Sequence, residues 1–362
     1  MKEPTTPSVL VSRRKVMELV AGGSAALGLA IRALPAGASS SPEKKSLRIG
    51  IGPEFGTSGH AVIALQKGYF KEEGFDDIEL KVFSAGLVQI EALAAGSLDL
   101  SMPTQAPVLT VRSNGIPVVV LSSVAAYNDT LAIAVREEKN VRNPADLYGL
   151  KIGVLKGSGA EMMVDALISH YKLDASKIQT VNLAPPEQLS SLATGAVDAI
   201  CVWQPWIYQA MTKTKSRVVH TGMTSHFAEN NGEKVTIDWT RGLLVGTESF
   251  LRSNPQTAAA VLRAFVKAQK FAADPKNFND LNETFSLYHN QPTEMNAVIL
   301  KGYEPTLALD ARTQTDIEAV QDFLIKSGRL KKSMPVRDIV YGEPLRAIDP
   351  GLVSIETKAK LS

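Results

Sequence analysis

One cysteine, Cys201, stands in 362 residues. No disulfide can form within the chain and no thiolate cluster can hold a metal, so stability must come from apolar cores. Charge of either sign is not in excess: 39 Lys and Arg oppose 37 Asp and Glu. That balance gives no sign of a nucleic-acid binder or a disordered chain, and a net charge of +2 says little about partners. No apolar run reaches the ~20 residues of a membrane span. No Ser-His-Asp spacing and no His or Asp cluster of metal-ligand type is evident among the five histidines and their neighbours. What is there is an ordinary globular composition, 44% hydrophobic, in a chain long enough for two domains.

The N-terminus reads as a targeting segment. Ser12-Arg13-Arg14-Lys15 precedes a mild apolar run over residues 16–31, diluted by Gly22, Gly23 and Gly28. Pro35 and the small residues Ala36-Gly37-Ala38 follow as a cleavage signal. The segment resembles a twin-arginine export signal, although Val16, Met17 and Glu18 depart from its usual pattern. Cleavage near Ala38 is expected, with an uncleaved anchor as the alternative. No cysteine follows that site to carry a lipid.

The rest of the chain is organised around a pattern written twice. Residues 192–206 repeat residues 93–105, with Gly195, Asp198 and Gln204 in register with Gly96, Asp99 and Gln105. Upstream, Val181, Ala184 and Gln188 match Val82, Ala85 and Gln89. Arg48-Ile49-Gly50 corresponds to Lys151-Ile152-Gly153. Strands at 47–51, 78–83 and 98–102 alternate with helices at 60–74, 89–95 and 105–113, and a β-branched run at 118–124 follows. The second copy has strands at 151–155, 179–183 and 196–202. Such alternation implies parallel pairing with helices on both faces. Two lone strands, 131–135 and 239–246, look like crossovers. Asn254-Pro255 caps a long helix, and further helices follow to Gly328; they are expected to pack on the first copy. Two βαβ units of one sheet are the alternative, but this anatomy favours two lobes.

Several stretches now converge. Residues 64–74 (Ala-Leu-Gln-Lys-Gly-Tyr-Phe-Lys-Glu-Glu-Gly), 89–99, 146–154 and 197–206 (Val-Asp-Ala-Ile-Cys-Val-Trp-Gln-Pro-Trp) resemble, in the right order, substrate-binding proteins of ABC importers. The subgroup resembled is the NMT1/THI5-like one that serves aliphatic sulfonates, taurine, nitrate and pyrimidine precursors. The likeness covers about residues 47–330. It implies an α/β, two-lobe periplasmic binding protein fold (type II), with parallel-sheet lobes joined by two crossover strands. The expected division is a signal peptide at 1–38, lobe one at 39–133 and 240–362, and lobe two at 134–239. It also implies a ligand clamped between the lobes, a membrane permease as partner, a periplasmic location, a monomer, and neither cofactor nor metal.

Ligands of open parallel sheets sit beyond the carboxyl ends of the strands. That selects Thr57, Ser58 and His60 after the first strand, where the histidine is otherwise a local cap. It selects Gln89, and Thr104 with Gln105, which are otherwise helix caps, and Tyr127 with Asn128 at the exit from lobe one. Gly157 and Ser158 begin a lobe-two helix whose free N–H groups suit an anion; a simple tight turn is the other reading. Trp203 is assigned to the cleft as an apolar wall with an indole N–H, and Trp206 to the core. Arg241 beside Trp239 is a candidate partner for a sulfonate or carboxylate, with a surface salt bridge as the alternative. Asp99 and Asp198 sit early in their strands and read as structural.

The expected function is delivery of a small organic anion, aliphatic sulfonate-like, to an ABC permease by hinge closure. Alternatives are a binder of nitrate or a pyrimidine or thiamine precursor, and a cleft enzyme similar to sulfinate desulfinases. That enzyme needs a cysteine nucleophile in the cleft, whereas Cys201 falls inside an expected strand and reads as a buried residue. No catalytic residue is assigned.

Overall fold

The computed structural model describes residues 41–127 and 129–361. The expected signal segment and Asn128 lie outside the described residues. The described chain carries two sheets. The first contains β1 (Ser46–Ile51), β2 (Asp77–Val82), β3 (Leu100–Ser101), β4 (Val118–Tyr127), β10 (Arg241–Thr247) and β11 (Tyr303–Pro305), in the order β11-β4-β10-β3-β1-β2. The second contains β5 (Leu131–Arg136), β6 (Lys151–Val154), β7 (Gln179–Asn182), β8 (Ala199–Trp203) and β9 (Ser216–Thr221), in the order β7-β6-β8-β5-β9. The chain passes from first to second sheet through residues 128–130 and returns through residues 222–240.

The sheets are mixed rather than wholly parallel. β1 pairs parallel with β2 and β3, and β6 with β7 and β8. β10 runs antiparallel to β3 and β4, and β5 antiparallel to β8 and β9. The reason is geometric. A strand arriving from the other lobe enters at the edge where the parallel strands end, so it must run against them.

The internal repeat has a structural meaning. The Arg48 N–H donates to Asp99 Oδ2 at 2.8 Å, and the Lys151 N–H donates to Asp198 Oδ2 at 2.9 Å. Lys44 and Lys139 each place Nζ 2.7 Å from their aspartate. Burial works to raise both carboxyls, but these donors outweigh it and hold both below the usual range. Gly96 and Gly195 both take left-handed φ, 75° and 79°, at the ends of the helices before these aspartates. Each copy thus closes its βαβ unit with the same two devices, at the strand end remote from the cleft.

Packing follows the pattern of side chains. In the second sheet, Ile133 and Cys201 face one apolar cluster while Ala134, Ile200 and Val202 face another, as period two requires. The C-terminal helices Pro255–Ala273, Phe278–His289 and Ala311–Lys326 bury Leu262, Phe265, Phe285 and Leu324 in the cluster that holds Ile49, Leu100 and Val120 of the first sheet. They have no sheet of their own, and this is where their apolar stripes go.

The return strand is held by one charged residue. Arg241 is only 1% exposed. Its Nε and Nη2 donate to Asp316 Oδ2 at 3.0 and 2.7 Å, and Nη1 donates to Ser123 Oγ at 3.0 Å. The Arg241 N–H donates to Gln105 Oε1 at 2.8 Å, and Gln105 Nε2 donates to Trp239 O at 2.8 Å. One residue on, backbones touch: a Cβ on Gly242 would lie 1.8 Å from Gly56 O, so only glycine fits. Replacing Asp316 with Ala strands a buried guanidinium. A loss on the order of 3 kcal/mol is expected, read as a lower midpoint in guanidinium or urea unfolding. An unchanged midpoint would show that the pair is dispensable.

Candidate functional site

A cavity of about 270 Å³ opens where the parallel strands of both sheets end. The first lobe contributes Gly52 to Glu54 and Thr57 after β1, residues 83–89 after β2, and Pro103, Thr104 and Pro107 after β3, with Tyr127 at the end of β4. The second lobe contributes residues 155–160 after β6, Ala184 after β7, Trp203 at the end of β8, and Leu131 at the start of β5. Thr240 joins from the returning chain.

Seven of the candidates line this cavity: Thr57, Gln89, Thr104, Tyr127, Gly157, Ser158 and Trp203. Four do not. Arg241 belongs to the buried pair with Asp316, and Gln105 to the brace that holds Arg241. Ser58 is buried, donates its hydroxyl to Glu54 O at 2.6 Å and faces His289 Nε2 at 3.2 Å. His60 is buried against the Phe265 ring, with neither ring nitrogen partnered. Burial drives its pKa down to about 3, so it is a neutral core residue. Asn128 is outside the described residues. Trp206 packs beside the second-lobe cluster and is not part of the lining.

The residue that sequence reading missed is Glu54. It is buried in the glycine-rich loop after β1 and lines the cavity. Thr57 Oγ1 donates to its Oε1 at 2.6 Å, and Tyr303 OH donates to its Oε2 at 2.5 Å. Tyr127 OH donates to Oε1, and the Gly56 N–H to Oε2 at 3.2 Å. Burial pushes the carboxyl up, and these four donors only partly offset it. Burial and the neighbouring carboxyl push the Tyr127 and Tyr303 phenols well up. Each carboxyl oxygen accepts two hydrogen bonds, so Glu54 offers little to a ligand. Tyr127 and Thr57 line the cavity but spend their hydroxyl protons on it.

The two lobes differ in how their helix starts are satisfied. In the second lobe, Ser158 Oγ accepts from the Ala160 N–H at 3.2 Å and donates to Leu155 O at 2.7 Å. Glu161 Oε2 accepts from the Gly157 N–H at 2.8 Å, and Glu187 Oε2 from the Ala184 N–H at 2.9 Å. In the first lobe, helices Gly86–Ala94 and Gln105–Ser113 start without a side-chain cap. The contrast extends to the paired glutamines of the repeat. Gln188 Nε2 donates to Leu183 O at 3.0 Å, while Gln89 Nε2 is buried with no acceptor. Free N–H groups at a helix start attract anions. The first-lobe wall of the cleft therefore presents the uncapped start of the Gly86–Ala94 helix, while in the second lobe Glu161 and Glu187 take the N–H groups of Gly157 and Ala184. Among the described residues lining the cavity, Lys156 carries the only side-chain cation, and it is exposed.

Residues 58–277 match the family described as NMT1/THI5 like. The chain belongs to the NMT1/THI5-like family. It is 26% identical over 307 residues to a Bacillus subtilis chain provisionally named an aliphatic sulfonates-binding protein, covering 82% of this chain and 86% of that one. Its fold matches that of the alkanesulfonate-binding protein SsuA from Xanthomonas axonopodis pv. citri bound to MOPS, with a TM-score of 0.69, 21% identity, and coverage of 83% and 99%. The desulfurization enzyme DszB shares the fold as well, with a TM-score of 0.61, 16% identity, and coverage of 84% and 98%. The fold is the two-lobe periplasmic binding protein fold.

A pH effect follows from Asp238, on the returning chain next to the cleft. It is buried, and its Oδ1 accepts from the Thr240 N–H and hydroxyl at 2.9 and 2.5 Å, while Oδ2 has no partner. Burial pushes its pKa up to about 7, against the Thr240 donors. Between the unfolded value of ~3.9 and about 7, the folded chain holds a proton that the unfolded chain has lost. Stability from this group therefore falls as pH rises through that window. Replacing Asp238 with Asn keeps the acceptor and removes the titration. Its Tm relative to the parent chain should rise between pH 5 and pH 8; a constant difference would refute the assignment.

Proposed function

We propose that this chain is the periplasmic solute-binding component of an ABC importer, capturing a small organic anion of the aliphatic-sulfonate type. The observation that carries this is on the first-lobe wall: the Gly86–Ala94 helix starts without a side-chain cap, its residues 86–89 line the cleft, and Gln89 Nε2 has no partner. The relative named as an aliphatic sulfonates-binding protein and the SsuA structure support the same chemistry. We assign residues 41–127 and 241–361 to lobe one and residues 131–221, with the returning loop, to lobe two. Export through residues 1–38 and action as a monomer belong to the same proposal.

The mechanism is hinge closure. A ligand that touches both lobes favours the state in which both walls are close, and shifts the equilibrium by its differential affinity. Contacts between the lobes are already in place here. Arg329, after the Ala311–Lys326 helix, pairs with Glu161 on the first turn of the Gly159–His170 helix. Glu161 also accepts from the Gly157 N–H, so this ion pair reaches the cleft loop directly.

The enzyme reading rests on the shared fold of DszB and has less to support it. Cys201 is buried in β8, and its Sγ donates to Ala160 O at 3.3 Å. Burial pushes its thiol well up, so it is neither accessible nor a thiolate.

Isothermal titration of the purified chain with sulfonates, nitrate and pyrimidines tests the proposal. Sulfonate binding is expected. Replacing Trp203 with Ala should weaken it at least tenfold, because Trp203 lines the cleft. Replacing Asp198 with Asn should lower Tm and leave affinity within about threefold. The reverse order would remove Trp203 from the site, and silence toward every sulfonate would remove the substrate class.

A further inference from the structure

We infer, building on the organic-anion reading above, that the ligand carries a bulky apolar body, the size of an aryl or medium-length alkyl group. The acidic head lies at Gln89, and the body lies between Leu87 and Val88 of lobe one and Leu155 and Trp203 of lobe two.

The first argument is size. A cavity of about 270 Å³ lies close to the lower end of small-molecule pockets, about 300 Å³. Nitrate, with four non-hydrogen atoms, leaves most of that space to water in a largely apolar cleft. An apolar body fills it and displaces water with little to hydrogen-bond to.

The second argument is the chemistry of the walls. Leu87 is 46% exposed and Val88 53% exposed, although both begin a helix whose next residues, Gln89 and Ile90, are buried. They are the exposed large apolar residues that line the cleft, and across it stand Leu155 and the Trp203 ring. The remaining exposed large apolar residues of lobe one's C-terminal helices, Leu287 and Val298, do not line it. An apolar patch facing another apolar wall across a ligand-sized gap is shaped for an apolar guest.

The third argument is what the cleft withholds. An amino-sulfonate brings an ammonium that needs an acceptor. The cleft carboxyl, Glu54, already accepts four hydrogen bonds. A compact inorganic anion needs donors all round, and here they are concentrated in one lobe. A one-ended donor set opposite apolar walls matches a molecule with one acidic head and one apolar body.

The test is a calorimetric series on the purified chain: methanesulfonate, taurine, nitrate, hexanesulfonate and naphthalenesulfonate, with hexanoate to vary the head. Affinity should rise at least tenfold from methanesulfonate to hexanesulfonate or naphthalenesulfonate. The double variant Leu87→Ser, Val88→Ser should lower affinity for the larger ligands at least tenfold and narrow the gap to methanesulfonate. Its circular dichroism melt, which should match the parent chain because both side chains are half exposed, separates lost contact from lost fold. Equal or tighter binding of methanesulfonate, taurine or nitrate overturns the inference and leaves the anion-binding reading standing. Absence of binding by every sulfonate and carboxylate overturns that reading and the inference together. Unchanged affinity of the double variant for the larger ligands also overturns the inference.

Discussion

A guanidinium sealed inside a protein has to be met on every side; that of Arg241 is met by two elements, and a third holds its backbone N–H. Asp316 comes from a C-terminal helix, Ser123 from β4, and Gln105 from the helix after β3. Burial pushes the Asp316 carboxyl up, against the pull of Arg241, so the pair is balanced between two large opposing effects. Geometry is what the balance secures. The chain returning from the second lobe enters β10 at Arg241, and the brace ties that point to the first sheet and to the C-terminal helices at once. Gln105 also reaches two residues upstream of Arg241, to Trp239 O. The returning chain is therefore fixed to the first sheet at residue 241.

From that fixed point the asymmetry of the lobes becomes intelligible. Both lobes were built from the same βαβ pattern, and both keep its structural parts: an aspartate accepting from the first strand and a left-handed glycine closing the helix before it. They part at the helix starts. The second lobe supplies Ser158, Glu161 and Glu187 to its own N–H groups. The first lobe has Ala85 at one helix start and an uncapped Thr104 at the other. A buried donor left without an acceptor costs on the order of 1–3 kcal/mol. Gln89 Nε2 carries such a penalty. Gln188, in the equivalent place, has already found Leu183 O. One copy of the repeat stabilises the lobe; the other keeps its donor available.

Local signals in the sequence were enough for most elements. Asn143-Pro144 announced a helical turn, and the chain forms a capping box there with Asp146. Asp99 and Asp198 were read as structural from their place early in the strands, and their partners are backbone N–H groups of the adjacent strands. The cleft loops followed from the direction of parallel strands, which is why Thr57, Gln89, Thr104, Gly157 and Trp203 fall on its lining. What failed was long-range. Arg241 reads as a free cation until Asp316, 75 residues on, is folded against it. Gln105 reads as a cap until Arg241 arrives from 136 residues away. The stretch 98–102 reads as a five-residue strand, whereas β3 pairs only over Leu100 and Ser101, with β1 on one side and β10 on the other. Glu54 carried no local pattern at all; its two tyrosines lie 73 and 249 residues distant.

Glu54 is the one carboxyl among the described residues that line the cleft. Its charge is not presented to the cavity. Two phenols, one hydroxyl and one N–H occupy its oxygens, and burial further disfavours the ionised form. What it does instead is mechanical. It ties the loop after β1 to Tyr127 at the exit from the first sheet and to Tyr303 on the neighbouring β11, whose rings meet edge to face at 4.9 Å. The same loop is where Gly56 O lies against Gly242 at the entry of the return strand. Both crossovers are thereby anchored to one loop of the cleft floor. The arrangement also sets the polarity of the site. A ligand oxygen placed beside Glu54 would meet oxygens whose protons are already committed, and it would gain nothing there. The same oxygen beside Gln89 meets a donor with no other partner. Within the lining, Glu54 has both oxygens occupied, while Gln89 Nε2 has no partner.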